Sequence, residues 1–93
     1  MITLIKRKRH VEAYDERKVY GSCYAAALNC HYAEKEAEKL AKKVASRVTR
    51  AVRQHVKKRV KQPPTSVDIR NYVIKNISDP EVTFMYVHHL DLC

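Results

Sequence analysis

The residues of this chain best suited to chemistry are the cations of its amino-terminal stretch, Ile2 to Val19. Lys6 and Arg7 follow a short apolar run of Ile2, Leu4 and Ile5, and Lys18 comes after a second short run from His10 to Tyr14. Lysine presents phosphate with a point charge and arginine with a bidentate fork. Neighbours on a strand leave opposite faces, so Lys6 and Arg7 share a site only if the turn begins between them. The elements around them therefore decide the reading. The two runs predict paired strands joined by a tight turn at Lys8-Arg9. Asp15 is an oxygen acceptor suited to capping a helix whose apolar positions begin at Val19. Where a strand pair meets a helix start, backbone N–H groups and side-chain cations can converge on an anion, and phosphate is the natural guest. Spacing alone supports equally the plainer account that Lys6 to Arg9 charge a hairpin against edge-to-edge pairing.

Catalysis has little support. The chain holds one glycine, so neither a glycine-rich phosphate loop nor a nucleophile elbow can be built. Adjacent positions on a helix point about 100° apart, which makes His88 and His89 poor co-ligands. Cys23 and Cys30 stand seven apart on one helical face and read as core thiols, and Cys93 leaves an odd count without CxxC spacing. No disulfide framework, zinc ribbon or other metal centre is expected, and the chain is expected not to be an enzyme.

The 93 residues carry a formal charge of +9, unevenly placed. Between Lys42 and Lys61 lie nine Lys or Arg and no Asp or Glu. Such a balance favours anionic partners, which include nucleotides, nucleic acids and acidic protein surfaces, although a solvated helix face accounts for it equally well. These cations look spread around the helix, which argues against base-specific reading of nucleic acid. A single domain spanning 1–93 fits the length, with a core just large enough to stand alone. No run of eighteen apolar residues occurs and the basic cluster follows Met1–Ile5 where a signal sequence would have it precede, so a cytoplasmic protein that does not enter membranes is expected.

Periodicity predicts four helices after the hairpin. The first runs from Asp15 to about Asn29, with Val19, Cys23, Ala26 and Cys30 on one side and Gly21 either weakening it or permitting a close approach. A short linker, Asn29 to Tyr32, leads into the longest element, whose stripe is Ala37, Leu40, Ala41, Val44, Val48, Val52 and Val56. Its acidic opening and basic end follow the helix dipole. Pro63-Pro64 ends it, and residues 60–62 could supply a third short strand beside the hairpin. Thr65 with Asp68, or Ser66 alone, caps the third helix, whose stripe is Ile69, Val73, Ile74 and Ile77. Ser78 to Glu81 reads as a capping box for the last, with Pro80 just inside its start and Val82, Met85, Tyr86 and His89 inward.

Lys6-Arg7, two turn residues, Glu12, an aromatic at Tyr14, Asp15 and then Lys18-Val19 together resemble the opening of the ATP-cone family, usually Lys-Arg-Asp-Gly, an acidic residue, Phe-Asp and Lys-Ile. The similarity extends over most of the chain. Thr65 to Ile69 resembles the start of the family's third helix, and Asp79-Pro80-Glu81-Val82 through Tyr86-Val87 its last helix. One departure is plain: Lys8-Arg9 stands where the family has Asp-Gly.

The resemblance implies an α+β, mostly helical fold, with the hairpin packed on a four-helix bundle. It also implies a regulatory module that binds ATP or dATP, with magnesium as the accompanying cation, without consuming it. Such modules regulate ribonucleotide reductases and occur in the bacterial repressors of reductase operons. A reductase or the chain's own oligomer would then be the partner. Those repressors bind DNA through a zinc ribbon ahead of the cone, and no such module is expected here. Carried onto this sequence, the nucleotide site comprises Lys6, Arg7, Glu12, Asp15, Lys18 and Val19, with Arg70 from the third helix. Glu12 would accept from the ribose hydroxyls or the adenine amine, and Val19 would pack on the base. Two other readings stand beside it: a small basic protein binding nucleic acid through residues 42–61, and an assembly protein whose nucleotide site has decayed, as Lys8-Arg9 hints.

Overall fold

The computed structural model describes residues 4–6, 11–58 and 63–92, with side chains placed for all of these except Lys6, Glu12 and 89–92. Two three-residue strands open the chain, β1 (Leu4–Lys6) and β2 (Val11–Ala13). They pair antiparallel, with Leu4 opposite Ala13, Ile5 opposite Glu12 and Lys6 opposite Val11. Alternation along β1 buries Ile5 at 5% exposure and leaves Leu4 half exposed, so one face of the ribbon is pressed onto the helices. The expected third strand at 60–62 and the hairpin turn at Lys8-Arg9 lie outside the described residues.

Four helices follow: α1 (Glu16–Asn29), α2 (Glu34–Lys58), α3 (Ser66–Asn76) and α4 (Pro80–Leu92). Asp15 caps α1 from an extended backbone, accepting from the Arg17 N–H at 2.9 Å. The helix buries Val19, Cys23, Ala26 and Ala27. Gly21 is exposed, and among the described residues a Cβ built there would meet nothing within 4 Å. Gly21 therefore sits within a continuous helix with no described protein group packed on it.

α1 ends at Cys30 with His31 in the left-handed region, φ 66°. The Tyr32 N–H reaches back to the Ala27 carbonyl at 3.1 Å and the His31 N–H to that of Leu28 at 3.0 Å. These are the paired bonds of a Schellman ending, which reverses the chain within a few residues.

α2 then runs back along α1. Tyr24 feels the charges of Glu34 and Glu38, Tyr20 shares a cleft with Lys42, and Tyr14 bonds Thr49. Partners rise along α2 as position falls towards the hairpin, so the two helices are antiparallel. Their contact is the most extensive between elements, and small buried side chains at Ala37, Ala41 and Ala45 bring the backbones close. At about 1.5 Å rise per residue α2 is about 37 Å long. That length sets the longest dimension of the molecule, 41 Å.

α3 packs on α2 and α4 on α1. Thr65 caps α3 reciprocally with Asp68, at 3.1 Å and 2.9 Å. Ile69, Val73 and Ile77 are buried from its stripe, with Ile74 packed against the cluster. At α4 the cap differs from expectation. Asp79, and not Ser78, accepts from the Glu81 N–H at 2.9 Å, while the Asp79 carbonyl takes the Thr83 N–H at 3.0 Å. Proline at N1 requires the cap immediately before it, which makes Asp79 the capping residue. Val82 and Tyr86 are buried and Met85 packs beside them; the His89 side chain lies outside the described residues. Val44, Val48, Val52, Val73, Val82 and Cys23 form the fully enclosed centre. No helix among the described residues is long and apolar enough to cross a membrane.

Candidate anion-binding site

The junction between hairpin and α1 places the expected residues as follows. Lys6 closes β1 in register with Val11, and only Tyr14 and Asp15 separate β2 from α1. Glu12 stands opposite the buried Ile5. The side chains of Lys6 and Glu12, and the whole of Arg7, lie outside the described residues. Lys18 is exposed on the first turn of α1, its N–H bonded to the Asp15 carbonyl at 3.1 Å.

Asp15 is closely engaged with its neighbour. The Arg17 guanidinium donates to both carboxylate oxygens at 3.2 Å, in addition to the backbone cap. The Arg17 side chain, the backbone N–H and the nearby Lys18 charge hold the Asp15 carboxyl below its usual range. Asp15 thus shapes the helix start, and its oxygens are already occupied by Arg17. Val19, expected against a base, is 7% exposed and contributes to the core cluster.

Arg70 is exposed on α3. Its charge acts on Tyr86, partly offsetting the burial that pushes that phenol up to about 12. Tyr86 also feels Cys23, which sits one turn beyond Val19 on α1. Tyr86 on α4 thus stands near both α1, through Cys23, and α3, through Arg70. One contact that helps seat the hairpin was not expected from the sequence: the Tyr14 hydroxyl bonds Thr49 Oγ1 on α2 at 2.9 Å. Only the aromatic type of Tyr14 hinted at an inward anchor.

A second cationic feature lies between α2 and α3. It is an open groove of about 870 Å3 with Arg47, Arg50 and Lys58 on one wall and Lys75 on the other. The His55 Nδ1 and Tyr72 hydroxyl meet across its floor at 2.9 Å, with their rings edge to face. Among the described residues Asp68 is the one carboxylate in the lining, and one of its oxygens already accepts from the Thr65 N–H. Of the cations between Lys42 and Lys58, Arg47, Arg50 and Lys58 line this groove. The signal was available as the spacing of Arg47, Arg50, Gln54 and Lys58, three then four then four, which repeats on one helical face.

Cys23 is held protonated, its thiol pushed up to about 12 by burial. Among the described residues no group of three or more His, Cys, Asp or Glu is placed to hold a metal ion. His88 stacks on the exposed Phe84 ring, centroids 6.0 Å apart. No protein-family model, curated protein or solved structure matches this chain.

Proposed function

We propose that this chain is a non-catalytic, adenine-nucleotide-binding regulatory module of the ATP-cone kind. The observation that carries the reading is the hairpin, closed at Lys6 opposite Val11 and joined through two residues to the capped first turn of α1. That connection leads from β2 directly into the positive end of a helix dipole, where phosphate is favoured. The element order, a ribbon followed by four helices with a reciprocally capped third, also agrees with what the sequence resemblance implies.

In this reading Lys6, Arg7 and Lys18 take the phosphates of ATP or dATP, with magnesium sharing the charge. Glu12 recognises the ribose or the adenine amine, and Arg70 closes the site from α3. The Asp15 oxygens are engaged by Arg17 and Val19 is buried in the core, so both act as supports for the site. Nucleotide would tie the hairpin to α1 and bias the exposed surface between two association states, because a ligand shifts an equilibrium only by its differential affinity. The partner is a second copy of the chain or another protein, a ribonucleotide reductase being the one the resemblance suggests.

Thermal unfolding with millimolar ATP or dATP and magnesium tests the reading. A ligand present at 100 times its Kd stabilises by about 2.7 kcal/mol. The midpoint should then rise by roughly ten degrees or more. No rise with either nucleotide would leave an assembly protein with a decayed site as the better description.

A further inference from the structure

We infer that the groove between α2 and α3 is a binding track for single-stranded nucleic acid, separate from the hairpin site. Arg47, Arg50 and Lys58 lie along one face of α2 and span about 16 Å at the ordinary rise per residue. Lys75 confronts them from α3, and all four side chains are exposed. Among the described residues Asp68 is the one carboxylate set against these four cations, with one oxygen committed to the α3 cap. The arrangement is a linear anion receptor, longer than a single phosphate requires.

The groove is also prebuilt. The His55 to Tyr72 hydrogen bond ties its walls together, and the capping box fixes the start of α3. A positively charged cleft with aromatic side chains in its lining is how proteins hold single strands without reading sequence, with cations tracking the backbone and rings contacting bases. A duplex presents its phosphates on a rigid convex surface and cannot enter a cleft between two packed helices. The occupant is therefore a flexible phosphodiester strand, held without sequence preference.

The test uses the full chain and a labelled fifteen-nucleotide oligo(dT) or oligo(U), followed by fluorescence anisotropy between 50 and 300 mM salt. Four phosphate contacts to a single strand predict a slope of log K against log salt of about −3. The triple variant Arg47→Gln, Arg50→Gln, Lys75→Gln should bind about tenfold or more weaker and reduce the slope to about −1. Lys35→Gln, Lys39→Gln, Lys43→Gln removes the same charge from other exposed positions of α2 and should change affinity by less than threefold. Lys6→Ala with Lys18→Ala should leave oligonucleotide binding intact, which separates this site from the proposed nucleotide site. Protection of Lys58 and Lys75 from acetylation by bound oligonucleotide, read by mass spectrometry, is independent of any variant. Absence of binding at 50 mM salt, equal losses in the two triple variants, equal affinity for a duplex of the same length, or equal protection of Lys39 and Lys75 would each overturn the assignment.

Discussion

The hydroxyls of Tyr14 and Thr49 lie 2.9 Å apart, joining the residue that follows β2 to the middle of α2. Tyr14 is half buried, and burial raises its phenol above the usual 10.0 despite the Thr49 bond. Only Asp15 separates Tyr14 from α1, so this bond, together with the buried Ile5, helps seat the ribbon on the helices. Tyr14→Phe keeps the ring and removes the bond, leaving the Thr49 hydroxyl to find another partner. The expected loss is about 1 kcal/mol in urea denaturation. An unchanged midpoint would mean that ring packing alone seats the hairpin.

Gly21→Ala should stabilise the protein. The site is helical and exposed, and among the described residues the new methyl group meets no atom within 4 Å. Alanine lowers the backbone entropy lost on folding, a gain of about 0.5–1 kcal/mol. For a chain of this size that raises the melting midpoint by roughly 2–8 degrees. Calorimetry showing a fall would mean that some packed group requires the glycine.

His31→Gly should also stabilise, for a different reason. His31 holds φ at 66° to let the α1 ending bond back to Ala27 and Leu28. A side chain in that region costs about 1–2 kcal/mol that glycine does not incur. Glycine in turn loses more freedom on folding, so the net gain is roughly 0.5–1 kcal/mol. His31→Val, with a branched β-carbon, should destabilise. Opposite signs for the pair in chemical denaturation are the required result.

Stability should fall at both ends of the pH scale for identifiable reasons. The Tyr32 hydroxyl donates to Asp79, the cap of α4, and this bond is the main cause that pushes the Tyr32 phenol up to about 12. Burial pushes Tyr86 up to about 12 and raises Tyr14 as well. A raised folded-state pKa means that the fold holds the proton more tightly than the unfolded chain does. The stabilisation is therefore complete below pH 10 and is lost as pH climbs towards about 12. On the acid side Asp79 is lowered by Tyr32 first, and Asp15 by Arg17, so their contributions are present above the usual carboxylate range and disappear as pH falls through it. Unfolding midpoints across pH, with Tyr32→Phe alongside, check this. The variant should flatten part of both limbs, and parallel curves would refute the Tyr32 to Asp79 link.

Lys18→Ala should diminish the thermal stabilisation by ATP while leaving the protein without nucleotide close to its normal stability, since the side chain is exposed on the first turn of α1. Isothermal titration reads the affinity directly. Undiminished affinity would remove Lys18 from the site.

Most of the local architecture was legible in the residues. Asp15 ahead of a helical stripe, Thr65 three before Asp68, and alanine and valine recurring through 37–56 each follow rules that act within one or two turns. Where two local rules competed, at Ser78 and Asp79, the proline at position 80 chose between them. The Gly21 alternative of close approach could not be judged locally, because it depended on which surface of α1 faced outward.

By itself, then, the sequence determined where helices start and stop, which face of each is apolar, and that the chain carries a large positive charge. The tertiary structure decided what meets across those faces: Tyr14 with Thr49, Tyr32 with Asp79, and the α2 cations with Lys75. The reason is physical. Hydrogen-bonded turns and caps depend on neighbours a few residues apart, so spacing encodes them. Contacts between α2 and α3, or α1 and α4, depend on how close-packed side chains set the angle and depth at which two helices settle, and no single segment carries that information.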